Sequence, residues 1–304
     1  MPASSGDLTG PLAAVGAAAC WAVTALAFEA AGRRIGALTL NLVRLVIAFA
    51  FLAAAGWFVR GLALPVDATP HAWIWLGLSG LAGFVFGDFC LYRAFLVLGA
   101  RLSMLMMALV PPLTALIGWT ALGEVLLPRD LLGMVLTVTG IGWAILERRP
   151  RHGVNPGELH VTPAGLAYGF GGALGQAGGL ILSKIGIGAY DAFAATQVRV
   201  VAGMAGYALL FVLLRWWPRV PAAVRDSKAM AFASLGAFFG PFLGVSLSLI
   251  AVRATVSGVA ASLMALTPVL ILPLVVLLRR ERLGIGGVAG ALVAVAGAAV
   301  LLLG

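Results

Sequence analysis

Arg44, Arg199, Glu29 and Asp88 each interrupt a long apolar run, where an ionised group is costly and seldom placed without a task. Other polar groups stand near them. Asn41 lies one turn from Arg44, and Thr196 and Gln197 lie one turn or less from Arg199. Gln176 and Trp21 fall in the middle of other runs, and Tyr92, Ser103, Ser246, Ser248, Ser257, Ser262 and Thr267 add hydroxyls. Groups of this kind can hold the amine or carboxylate of a small solute. Each Ser or Thr can equally bond a carbonyl one turn earlier in its own helix, and each Arg can snorkel to a headgroup. Met104, Met106, Met107 and Met264 suit either an adaptable apolar lining or ordinary packing. Trp21, Asn41, Asp88, Tyr92, Met107, Gln176, Gln197, Arg199 and Ser246 form the candidate substrate-binding set.

Other chemistries lack parts. No paired-carboxylate or zinc spacing, Walker loop or GxSxG elbow appears, and His71, His152 and His160 fall in loops or at run ends. Catalysis, a metal, a cofactor and ATP hydrolysis within this chain are not expected. Cys20 and Cys90 lie inside apolar runs without ligand spacing and read as inert thiols. The polar stretch Met1 to Gly10 lacks Lys and Arg and does not read as a signal peptide.

The elements that carry these residues must live in lipid. Of 304 residues, 62% are hydrophobic and 10% charged, against about 25% charged in a soluble domain. A crossing helix needs about 20 apolar residues. Ten candidates run over 9–31, 36–59, 72–92, 102–123, 131–147, 163–184, 190–214, 229–251, 255–278 and 284–303. Continuous runs of this length exclude a β-barrel, whose strands alternate with period two. The net charge of +9 sits in short gaps between runs, so it reads as attraction to anionic lipid; no nucleic acid partner is expected.

The chain also repeats itself. At an offset of 155, Gly10, Gly16, Arg44 and Arg60 meet Gly165, Gly171, Arg199 and Arg215. At 157, Ser79, Gly83 and Gly87 meet Gly236, Gly240 and Gly244, and Ala108-Leu109-Val110-Pro111 meets Ala265-Leu266-Thr267-Pro268. Glu124 then meets Glu281, Gly133 meets Gly290 and Gly140 meets Gly297. The expected organisation is a five-helix repeat at 9–147, a basic linker at 148–162 and a second repeat at 163–303. An odd number of spans per copy makes the second copy enter from the other side, giving an all-α membrane protein of two inverted-topology repeats. Pro111 and Pro268 recur in both copies and are the expected hinges. Gly83, Gly87, Gly240 and Gly244 form small-residue rows expected to pack helices closely.

The copies differ at one place that matters. Asp88 can pair with Arg44 or with Arg93, but its repeat position is Val245, so Arg199 has no matching acid and could attract an anionic group. Loops on the side of the N-terminus carry four basic residues and those on the opposite side thirteen. The positive-inside rule puts that opposite side in the cytoplasm.

Ala108-Leu109-Val110-Pro111 followed by Gly123-Glu124, with its counterpart Ala265-Leu266-Thr267-Pro268 followed by Arg280-Glu281, resembles the fourth helix of EamA-domain members of the drug/metabolite transporter superfamily. Gly133 and Gly290 fill the place of a Gly in the following helix. The resemblance covers about residues 10–303. It implies a basket in which the first four helices of each half line a central cavity, with the fifth and tenth outside. It also implies a bacterial inner (cell) membrane location and the export of small metabolites. Amino acids come first, as in exporters of the YddG type, and cationic drugs by proton antiport second. Many relatives are drawn with cytoplasmic termini, opposite to the charge count. The expected partners are the lipid bilayer and a small-molecule substrate such as an amino acid. The chain could be a monomer or a homodimer. A membrane-embedded lipid-handling enzyme is the reading from another class.

Overall fold

A computed structural model of the chain describes residues 8–147, 162–271, 273 and 285–303, without the side chains of 99–101 and 147. Residues 148–161 of the expected linker 148–162, the basic cluster Arg279, Arg280 and Arg282, and Glu281 lie outside the described residues. The described chain is helical. α1 is Thr9–Ile35, α2 Ala37–Arg60, α3 Pro70–Gly80, α4 Asp88–Met107, α5 Val110–Leu122, α6 Pro128–Glu147, α7 Pro163–Ile187 and α8 Ala192–Leu213. Then come the short α9 at Val220–Arg225, α10 at Ser227–Ala237, α11 at Val245–Ala254, α12 at Ser257–Met264 and α13 at Ile285–Leu303.

Eight helical segments are long and apolar enough to cross a bilayer. α7 adds a 25-residue helix whose eight glycines dilute its apolar content. Ser257–Ile271 is a shorter apolar helix that opens the ninth segment. With these two, the described residues supply ten helical segments, five in each half. Trp57, Phe58, Val59, Leu209, Val212 and Leu292 are exposed on its outer surface, as a lipid-facing belt requires.

Proline and a hydroxyl start several helices. Thr69 accepts a hydrogen bond from the Ala72 N–H ahead of Pro70, and Thr162 accepts one from the Gly165 N–H ahead of Pro163. Gly36, at φ 78°, makes the one-residue turn between α1 and α2 that a side chain would resist.

The third and eighth spans share a feature that no residue type announced. α3 passes into α4 through a π-helical turn at Leu81–Gly87, and α10 into α11 through another at Phe238–Gly244. The two turns are 157 residues apart at both ends, the register of the sequence repeat. The expected gap 93–101 between the third and fourth spans is not a break in the helix, since Asp88–Met107 is helical throughout. The chain nevertheless reverses there. Leu98 packs on Gly165 and Met106 on Gly169, whereas a straight continuation would carry Met106 beyond the start of α7. In the second half the equivalent corner is open, with Thr255 and Val256 extended between α11 and α12.

Packing displays the inversion. In α1, Gly10, Trp21, Thr24 and Phe28 meet Thr255, Gly244, Gly240 and Gly236 in turn. In α7, Gly165, Gln176 and Gly179 meet Leu98, Gly87 and Gly83, and Ser183 shares a 2.6 Å hydrogen bond with Ser79. The second ladder is the first with the halves exchanged. The start of α1 and the end of α7 both reach Thr255. A Cβ on Gly10 would stand 3.0 Å from Thr255 Cβ, and Lys184 Nζ donates to the Thr255 carbonyl at 2.6 Å. Equivalent helices thus point in opposite directions.

The fifth and tenth spans lie backbone to backbone. A Cβ on Gly140 would fall 2.4 Å from the Ala294 nitrogen, and one on Gly290 2.5 Å from the Ala144 nitrogen. Small residues at these places allow the approach that dispersion forces between membrane helices need.

Candidate functional site

A cavity of about 310 Å³ opens between the halves, near the small end of the range of roughly 300–1,000 Å³ for small-molecule sites. The first four spans of each half contribute to its wall, joined by Ile141 of the fifth. Trp21, Phe28, Phe84, Met104, Met107, Pro241 and Met264 make it largely apolar. Its polar groups are few: Thr24, Arg44, Asp88, Gln176, Arg199, Ser248 and Thr267.

The two arginines have different surroundings. Arg44 forms an ion pair through Nη2 with Asp88 Oδ2 and stands over the Phe28 ring at 5.4 Å, and its buried Nε has no partner. Gln176 Nε2 donates to Asp88 Oδ1 at 3.0 Å and, at 3.4 Å, to the Gly83 carbonyl. Both carboxylate oxygens are therefore engaged. Arg93, the other possible partner, stacks on Tyr168 instead. Arg199 is 4% exposed, and its Nε and Nη1 have no hydrogen-bond partner. Its guanidinium lies 5.0 Å from the centroid of the Phe84 ring, a cation–π contact that offsets part of the cost of burial but satisfies no donor. Asp88 also acts on it through space.

The helix breaks that bound the cavity repeat. α4 ends at Ala108–Leu109 with short-range bonds from the Ala108 N–H to the Leu105 carbonyl and from the Leu109 N–H to the Met106 carbonyl. The chain then restarts at Val110 ahead of Pro111. α12 ends 157 residues later at Ala265–Leu266, ahead of Pro268. A proline has no N–H and clashes with the carbonyl four residues back, so Pro268 frees the Met264 carbonyl. The Thr267 hydroxyl donates to that carbonyl at 2.9 Å. The first half has Val110 at the matching place.

On the side of the N-terminus a second polar cluster ties the halves together. Gly123, in the left-handed region at φ 66°, ends α5, and the Glu124 N–H returns to the Gly118 carbonyl. That turn aims the Glu124 side chain back over the bundle. Its Oε1 pairs with Lys184 Nζ at 2.6 Å and accepts from Ser257 Oγ at 2.8 Å, and its Oε2 accepts from the Ser257 N–H at 2.9 Å. A carboxylate from the first half thus caps the start of α12 in the second, where the helix dipole favours negative charge. Lys184 completes the tie through the Thr255 carbonyl. The sequence held a signal for this cluster in the change from Glu29 to Lys184 between repeat positions. The contact itself joins residues 60 apart, beyond the reach of spacing arguments.

Further out, the loops are tied by Asp67, which pairs with Arg60 and accepts from the Tyr190 hydroxyl at 2.8 Å. Burial, then the bond to Asp67, pushes the Tyr190 hydroxyl up to about 12. Burial acts to raise Asp67, but the Tyr190 hydrogen bond and Arg60 together hold its carboxyl below the usual range.

Of the candidate set, Trp21, Asp88, Met107, Gln176 and Arg199 line the cavity, as do Pro268 and Gly240. Asn41 and Tyr92 are half-buried outside its wall, Asn41 beside the Tyr207 hydroxyl. Gln197 donates to the Ala63 carbonyl at 2.8 Å, tying α8 to the loop after α2. Ser246 bonds the Phe242 carbonyl and the Thr196 hydroxyl. Pro111, Gly83, Gly87 and Gly244 are buried in helix contacts behind the wall. No group of three or more His, Cys, Asp or Glu side chains that could hold a metal occurs among the described residues.

The sequence pattern of the EamA-like transporter family matches residues 8–146 and again 163–303. The chain belongs to the EamA-like transporter family. A solved crystal structure, described only as that of a protein, superposes with a TM-score of 0.72 at 21% identity, over 96% of this chain and 95% of the other. At that identity the likeness concerns the fold alone. No curated protein matches the chain. This EamA-like transporter is thus a multi-pass membrane protein of the drug/metabolite transporter type, with its two family domains set head to tail around one cavity.

Proposed function

We propose that this EamA-like transporter is a secondary carrier that exports small metabolites, amino acids foremost, by alternating access through the central cavity. The observation that carries the reading is the placement of the cavity between two inverted halves, with the Glu124–Lys184–Ser257 tie across one end. Inverted halves offer two related global states, and a more buried tie at this end than the exposed Arg34–Asp226 pair at the other is what a gate closed on this side requires. The excess of basic residues puts the opposite side in the cytoplasm, so a solute would enter from there and leave on the side of the tie. The walls supply an apolar surface for a solute body and few polar anchors.

Proton-coupled export of cationic drugs is the weaker alternative. It needs an acid free to take a proton or a cation, and Asp88 is shared between Arg44 and Gln176. Liposome counterflow decides. Purified protein should exchange a radiolabelled apolar amino acid across the bilayer without an imposed pH gradient. Drug-driven proton movement with no amino-acid exchange would replace this reading with the alternative. Turnover of a lipid without solute flux would remove transport altogether.

A further inference from the structure

The two halves are related by repeat register, and Asp88 in that register corresponds to Val245. In the first half a carboxylate therefore reaches Arg44 from the third span. In the second half the eighth span presents an isopropyl group to the same cavity that Arg199 lines. Arg199 is nine-tenths buried and more, keeps two donors unpartnered, and cannot shed its charge as a lysine could. A buried cation with unmet donors is an expensive arrangement unless something completes it. The described groups near it do not. Asp88 has both oxygens occupied, and no hydrogen bond joins Gln176 to the Arg199 Nε or Nη1.

We infer that the carboxylate of the solute occupies the counterion place left vacant by Val245, so that the cavity selects apolar carboxylates and is indifferent to an amino group. The carboxylate is acceptor-only and matches the planar fork of a guanidinium. Trp21, Phe84 and Met264 receive the apolar body. Among the described residues of the wall an α-ammonium group finds no free acid. Amino acids with apolar side chains then bind by their carboxylate alone, and the acid lacking the amine binds equally well. The inference rests on the transport reading for the identity of the site, and names what that site recognises.

Binding can be measured apart from transport, by calorimetry and thermal shift on the purified full chain with leucine, 4-methylpentanoate and leucinamide as probes. Leucine and 4-methylpentanoate should bind alike, and leucinamide, which keeps the amine and loses the anionic oxygens, about 10- to 100-fold more weakly. Arg199→Gln should lose both acids by a similar factor. Val245→Asp supplies the missing counterion from within, so it should also lose both acids while remaining as thermally stable as the parent or more so. Leucinamide binding as tightly as leucine, undiminished acid binding in Val245→Asp, or no binding of either acid would each overturn the assignment. Counterflow with the same probes separates the two claims. Acids that bind but do not cross leave the site standing and end the transport reading, whereas exchange of leucinamide equal to leucine keeps transport and ends carboxylate selection.

Discussion

Arg44 and Arg199 occupy the same place in two copies of one unit, yet one is neutralised inside the protein and the other is not. Part of the surroundings is alike: each stands over a phenylalanine ring, Phe28 in the first case and Phe84 in the second, and each faces the same cavity. The difference in counterion comes down to Asp88 against Val245. A duplicated scaffold supplies two states of equal standing, and departures from its symmetry assign separate tasks to the halves. The first half holds its charge as structure, and the second leaves its charge available. The end ties follow the same logic, since Glu124 meets a lysine at position 184 while the repeat mate of that lysine is Glu29. Glu29 pairs with Arg33 in its own helix.

The sharpest way to break this contrast is to remove each guanidinium in turn. Arg44→Met strands the buried Asp88 carboxylate and should cost about 3–5 kcal/mol. Arg199→Met removes a cation without stranding a partner, so it should leave stability unchanged or raised while abolishing solute binding. Thermal unfolding of both variants in one detergent tests the pair. Equal losses would mean that Arg199 is as well compensated as Arg44.

The buried tie at the N-terminal side can be set against the exposed Arg34–Asp226 pair at the other end. Glu124→Gln removes the charge that holds Lys184 and caps α12, and it should destabilise that closure by about 1–3 kcal/mol. A cysteine at Ser248, which lines the cavity, should then react faster with an impermeant maleimide added from the N-terminal side. Unchanged labelling would show that the tie does not shut that end.

The smallest effect is expected at Asp67. Its carboxyl sits below the usual range when folded, so its contribution is complete above the unfolded value, about 3.9, and is lost as the pH falls through the lower folded value. The pair is exposed and therefore worth about 1 kcal/mol or less. Asp67→Asn should lower the melting temperature slightly at neutral pH and not in acid strong enough to protonate the folded carboxyl. A deficit that persists in acid would assign the effect to lost packing.

Spans and repeat were legible because lipid permits little else than long apolar helices, and because a proline and a glutamate recur at fixed distance. Asp88 with Arg44 was legible as well, both lying toward one side of the membrane. Gln197 and Ser246 illustrate the limit. A polar side chain in an apolar helix has as much to gain from a neighbouring carbonyl as from a cavity, and sequence does not say which lies closer. The π turns were hidden for a different reason. Their glycines at four-residue spacing read as a packing face, and they do pack, but the extra residue in the turn leaves no mark in composition.

That extra residue has a geometric meaning. A helix that closes its bonds five residues back holds one more residue per turn than the spiral on either side needs. Shortening Leu81–Gly87 by a single position would let the third span wind regularly from Pro70 onward. Every side chain beyond would then swing by about 100° around the axis. Asp88 is the first of them, so its meeting with Arg44 depends on a surplus of one in the count of the helix.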